Sequence, residues 1–170
     1  MKKFDVFIDL RDKRWKNEIA DAQKLAADCK DAVVSSVQDD VSFLKKNKNF
    51  GVNLALSDDD TVWNLNKKFR GIDKPTNVLS FASVDDEGFE DELEFESDVA
   101  LGDVIIAYET MKAEAEDLGL SLYSHFCHLW VHGLLHVLGY DHIKEDDRLK
   151  MEAKEIEILK KLGVSNPYDD

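Results

Sequence analysis

Polar and apolar residues alternate along "KKFDVFIDL" near the start of the chain, the period of a strand with one buried face. From about Lys16 to Cys29 the period lengthens: Ile19, Ala22, Ala26 and Cys29 recur at helical spacing and predict a first helix. Residues 30–50 match neither template cleanly, and "FLKKNKNF" reads as their polar exit. Alternation returns in "GVNLALSD", a second strand. Ser57 or one of Asp58–Asp60 then supplies the N-cap of a helix running to about Phe69. "NVLSFAS" predicts a third strand and "ALGDVIIAYE" a fourth, with a loop or hairpin between them. "ETMKAEAEDLG" is a helix stopped by Gly119. Ser121 opens a long helix, "SLYSHFCHLWVHGLLHVLG", that ends at Gly139. A last amphipathic helix runs from about Glu145 to Leu162, with Leu149, Ala153, Ile156 and Leu159 on one face. No repeat, low-complexity tract or linker divides the chain. The pattern predicts a single α/β (α+β) domain over residues 1–170, a small mixed sheet flanked by helices with the histidine-rich helix near the C-terminus.

Composition narrows the setting. A chain of 170 residues is long enough to bury a core without staples. Asp5 and Asp9 interrupt any signal-peptide core at the N-terminus, and no apolar run approaches the roughly 18 residues of a membrane span. Two cysteines, Cys29 and Cys127, are too few and too far apart for a disulfide framework. A cytoplasmic protein with reduced thiols and no membrane partner is expected. The net charge of −14 by itself argues against a nucleic-acid partner. That charge is unevenly spread, however. Residues 85–98, "DDEGFEDELEFESD", hold nine acidic residues and no basic one, whereas "NKKFRGIDKP" carries Lys67, Lys68, Arg70 and Lys74 against Asp73 alone.

The candidate chemistry lies in "HGLLHVLGYDH", residues 132–142. His132 and His136, four apart on a helix, leave the same face one turn apart. Gly139 can take the left-handed conformation that turns the chain back, so that His142 returns as a third ligand. Three protein ligands with a fourth position open is the arrangement of a catalytic zinc site, although nickel, copper and iron accept the same donors. His128 reads as a residue at the edge of the site and His125 as a helix-surface histidine; Cys127 reads as a buried thiol.

The same spacing occurs in the metzincin proteases, which need a glutamate directly after the first histidine as general base. Here that position is Gly133, which counts strongly against peptide hydrolysis. A phosphodiester makes different demands. Charge develops on phosphoryl oxygens, which a metal and an arginine stabilise directly. Arg70, in the one locally basic segment, is the candidate cation, although spacing alone favours a solvated residue at a helix end.

Three separate stretches resemble the YbeY family of bacterial metal-dependent rRNA-maturation endoribonucleases. "HGLLHVLGYDH" resembles the family's signature, "LNKKFRGIDKPTNVLSFAS" its arginine-glycine block, and "LGDVII" the strand next to its metal helix; the terminal "NPY", Asn166–Tyr168, is also familiar from members. The likeness spans roughly residues 52–168, and Ala82 stands where a proline commonly closes the second block. The resemblance implies a single-strand-specific endoribonuclease acting at the 3′ end of small-subunit ribosomal RNA and in ribosome quality control. It implies His132, His136 and His142 as ligands of one zinc ion, and Arg70 as the phosphate-handling arginine. Implied partners are single-stranded RNA, rRNA and the ribosome or its associated proteins. Two other readings stand beside it: a metal-dependent hydrolase of another substrate, such as a peptide or small phosphoester, and a ribosome-associated binding protein whose metal is structural.

Overall fold

A computed structural model describes residues 1–169. Four strands form the sheet: β1 (Lys3–Leu10), β2 (Asn49–Ser57), β3 (Val78–Ala82) and β4 (Asp98–Ala107). Their spatial order is β1-β2-β4-β3. β1, β2 and β4 run parallel and β3 runs antiparallel at the edge. The helices are α1 (Arg14–Glu18), α2 (Ala22–Val37), α3 (Asp59–Arg70), α4 (Phe89–Phe95), α5 (Tyr108–Leu118), α6 (Leu122–Val137) and α7 (Glu145–Lys161). None is long and apolar enough to cross a membrane.

The main core lies on one face of the sheet. Alternate strand residues (Val6, Val52, Leu54, Leu56, Val104 and Ile106) point into it and meet Cys29 and Val33 of α2 and Phe126, Trp130 and Leu134 of α6. α6 is apolar nearly all round, as a helix packed between a sheet and two other helices must be. On the other face α3 covers a smaller core of Ala55, Val62, Leu79, Ile105 and Ala107. α3 and α6 therefore lie on opposite faces, and β3 is the edge between them. The predicted mixed sheet with flanking helices is what forms.

Four expectations change. The first helix is two: α1 ends at Ile19 in extended conformation, and Asp21 caps a new helix by accepting from Lys24 N at 3.0 Å. α2 then continues to Val37, through residues that the pattern left open. The acidic run is no hairpin but contains α4, which buries Phe89 and Leu93; Phe89 packs edge-on against Phe43 at 5.4 Å. Two apolar residues four apart suffice to anchor a short helix whose other positions stay in water. Tyr108 and Glu109 begin α5 rather than ending β4. Finally, α7 is rotated from its expected phase. It buries Met151, Glu155, Ile158 and Leu159, while Leu149 is exposed.

Candidate metal centre

α6 enters the protein through Ser121, whose hydroxyl accepts from Ser124 N at 3.1 Å and satisfies one of the helix's free amides. It leaves through a Schellman turn: Tyr140 N donates to Leu135 O at 2.9 Å and Gly139 N to His136 O at 3.0 Å. Gly139 takes φ 104° there, a conformation that side chains disfavour. The chain reverses, and the carboxylate of Asp141 accepts from the amides of His142 (2.6 Å) and Ile143 (3.1 Å). This turn returns His142 to the two helical histidines.

One nitrogen from each of His132, His136 and His142 lies within 4.8 Å of the others. The far side of two rings fixes which nitrogen is free. His136 Nδ1 donates to Tyr140 O at 3.0 Å, the carbonyl of the turn itself. His132 Nδ1 donates to Glu155 Oε1. Both Nε2 atoms are thereby left as bare lone pairs, and they face each other 3.1 Å apart. Two lone pairs at that distance repel unless a cation sits between them. Two nitrogens bound tetrahedrally at zinc's 2.0–2.1 Å would stand about 3.3 Å apart, so the donor set fits a divalent ion. Burial, followed by the charges of His132 and His142, lowers the pKa of His136 to about 4, which keeps it neutral and ready to ligate at neutral pH. Among the described residues no fourth histidine, cysteine or carboxylate joins this group.

Gly133 faces the sheet rather than the cleft. A Cβ there would stand 2.6 Å from Val104 Cγ1 and 3.2 Å from Ser80 Oγ. The backbone of α6 thus rests directly on β3 and β4, and no glutamate fits where a metzincin carries its base.

The histidines floor a cleft of about 550 Å³. Its opposite wall is β3 and the segment before it, through Thr76, Asn77, Val78, Ser80 and Ala82. Arg70, the last residue of α3, lines the same cleft. Lys67 pairs with Asp73 at 3.9 Å, whereas Arg70 forms no ion pair among the described residues. Arg70 and the histidine triad, from opposite faces of the sheet, thus meet around its β3 edge. Of the nine acidic residues at 85–98, Asp85 lines the cleft and the others do not. Ala82 also reaches the rim.

His128 lines the cleft, as its edge position suggested, with Nε2 3.4 Å from Tyr168 Oη. His125 is not on the surface: it is buried, and its Nε2 lies 2.9 Å from Glu114 Oε1. α5 packs over that face of α6, which spacing alone does not reveal. Cys127 is buried as expected, its sulfur 3.7 Å from that of Cys29. Sequence reasoning missed Glu155. It is fully buried, and burial would raise its pKa, but the nearby His128 imidazole and hydrogen bonds from His132 and Tyr168 outweigh burial and hold it down at about 2. Its signal was present: Met151, Glu155, Ile158 and Leu159 form a helical stripe with a charge at the centre.

A family model described as Endoribonuclease YbeY matches residues 10–163. A protein named Endoribonuclease YbeY from Paramagnetospirillum magneticum is 50% identical over 119 residues, covering 70% of this chain and 71% of that one. Another of the same name from Bradyrhizobium diazoefficiens is 42% identical over 156 residues, covering 92% and 80%. A solution structure from Thermotoga maritima shares the fold at a TM-score of 0.54 and 20% identity, over 97% of this chain and 99% of that one. The match over most of the length, with Gly133 separating the histidine motif from the proteases, identifies the chain as a member of the YbeY endoribonuclease family.

Proposed function

We propose that this protein is a zinc-dependent endoribonuclease that cuts single-stranded RNA, with His132, His136 and His142 holding the ion and Arg70 binding the phosphate. The observation that carries the reading is the convergence in one cleft of three imidazoles, two with their far nitrogens fixed, and an arginine that forms no ion pair among the described residues. A bound divalent ion would supply electrophilic stabilisation of a phosphoryl oxygen and would acidify water nearby. The protein's own groups do the rest. Arg70 presents a planar fork of donors suited to two phosphate oxygens. The polar wall of Thr76, Asn77 and Ser80 orients the backbone of the strand.

The family's name and the likeness of the three motif blocks support ribosomal RNA as substrate, with cleavage at the 3′ end of the small-subunit RNA and a role in ribosome quality control. On this reading residues 1–170 act as one endoribonuclease domain in the cytoplasm, and the ribosome or its associated proteins supply specificity. A structural metal in a ribosome-binding protein is the weaker reading, because such sites are closed by a fourth protein ligand, and three donors are found here.

The test is cleavage of a labelled single-stranded RNA by wild type, His136→Ala and Arg70→Ala, with metal content measured on the same samples. Cleavage is expected to vanish in both variants, and metal only in His136→Ala. Equal cleavage by all three proteins would refute the assignment.

A further inference from the structure

Glu155 has an unusual position for a carboxylate. It sits in the middle of the buried stripe of α7 with no exposed surface, and among the described residues its ion-pair partners are imidazoles alone. Oε1 accepts from His132 Nδ1, Oε2 accepts from the Tyr168 hydroxyl, and His128 Nε2 stands 3.7 Å from Oε2. Removing a carboxylate from water costs several kcal/mol, which the hydrogen bonds from His132 Nδ1 and the Tyr168 hydroxyl offset. An ion held by His132 Nε2 would add a further attraction, since its charge would lie one ring away from the carboxylate.

Tyr168 brings a second element to this carboxylate. It follows α7 in the terminal segment, where Asn166 Oδ1 accepts from Tyr168 N at 2.8 Å. Its ring packs edge-on against His128 with centroids 5.6 Å apart, and it lines the cleft. One buried carboxylate thus joins a ligand-bearing ring to the C-terminal segment.

We propose that Glu155 is a positioning residue of the metal centre, completing the ion's charge compensation through His132, and that Tyr168 ties the C-terminal segment to the same carboxylate, so that metal occupancy and docking of that segment favour each other. This rests on the reading of the three histidines as ligands. It does not depend on which substrate is cut. The coupling is reciprocal by thermodynamic necessity: what zinc does for the segment, the docked segment does for zinc.

The experiment measures Zn²⁺ affinity by competition with a chromophoric chelator, and amide hydrogen exchange of residues 164–169 with and without Zn²⁺. Wild type, Glu155→Gln and Tyr168→Phe are compared, with thermal melting of each metal-free protein. Glu155→Gln is expected to bind Zn²⁺ about 10–100-fold more weakly than wild type. Tyr168→Phe is expected to weaken binding less and to abolish the zinc-induced protection of residues 164–169. A merely structural Glu155 would lower the metal-free melting temperature and leave Zn²⁺ affinity unchanged, and would overturn the proposal. So would exchange in the wild-type segment that ignores zinc. Wild type that takes up no zinc would overturn the ligand reading and this proposal with it. RNA cleavage enters none of these readouts, so failure of the nuclease assignment registers separately.

Discussion

Gly133→Ala separates two opposing effects whose signs can be worked out beforehand. The added methyl would stand 2.6 Å from Val104 Cγ1 and 3.2 Å from both Val104 Cγ2 and Ser80 Oγ. Ordinary carbon contacts lie at about 3.5–4.0 Å, so roughly 1 Å must be relieved. Val104 is fully buried and, being β-branched, stiff about χ1. Relief must come from moving α6 off the sheet. Overpacking of this kind costs about 1–3 kcal/mol. Replacing glycine by alanine inside a helix gives back about 1 kcal/mol. The net expectation is a loss of about 1 kcal/mol in urea unfolding of the chelator-treated protein, or roughly 2–4 °C in Tm for a chain of this size. Val104→Ala alone should cost about 2 kcal/mol for its two buried methyl groups. In the double variant the new methyl enters the vacated space, so the two changes should be less damaging together than their sum by 1–3 kcal/mol. Zinc affinity should fall in Gly133→Ala and recover in the double variant, since His132 and His136 ride on the displaced helix. A Gly133→Ala protein more stable than wild type by about 1 kcal/mol, or strict additivity, would refute the close-contact account.

Other outcomes follow from the same structure. Asp58 caps α3 by accepting from Thr61 N at 2.8 Å, so Asp58→Ala should lose about 1 kcal/mol at neutral pH. Those hydrogen bonds to Thr61 lower the Asp58 pKa below its ordinary 3.8; the cap's contribution is therefore present above the unfolded value and lost as pH falls through the lower folded one. Urea unfolding of wild type and Asp58→Ala should differ at pH 7 and converge as pH falls through the folded Asp58 value. Zinc at a hundredfold excess over its Kd should raise the stability of wild type by about 2.7 kcal/mol and leave that of His136→Ala unchanged, measured as a shift in the urea midpoint. The Cys29 thiol, hydrogen-bonded to Cys127 and buried between α2 and α6, has its pKa pushed far above the usual thiol range. Both cysteines are fully buried and should resist a disulfide reagent in the native protein and react fully in urea; fast native labelling would show that α2 and α6 part readily.

What the sequence determined by itself is local. The i, i+4 spacing of His132 and His136, the glycine that turns the chain after them, the start of α6 at Ser121 and a cap for α3 somewhere in Ser57–Asp60 depend on backbone geometry within a few residues, which is the same in any fold. The strands could be read for the same reason, since alternation records which face of a strand is buried. The tertiary structure decided whatever depends on contacts between distant segments. His132 meets Glu155 23 residues away, and a charged side chain reads as surface until its partners are brought to it. The rotation of α7 follows from that pairing, because burying Glu155 puts Met151 and Ile158 inside and leaves Leu149 out. His125 is buried by α5, a helix whose position no pattern within α6 encodes. Gly133 could be read as a missing base, but only the contact with Val104 shows that nothing larger fits. Arg70 and the histidines share a cleft because α3 and α6 lie on opposite faces of one sheet and meet around its β3 edge, a consequence of strand order rather than of any spacing along the chain.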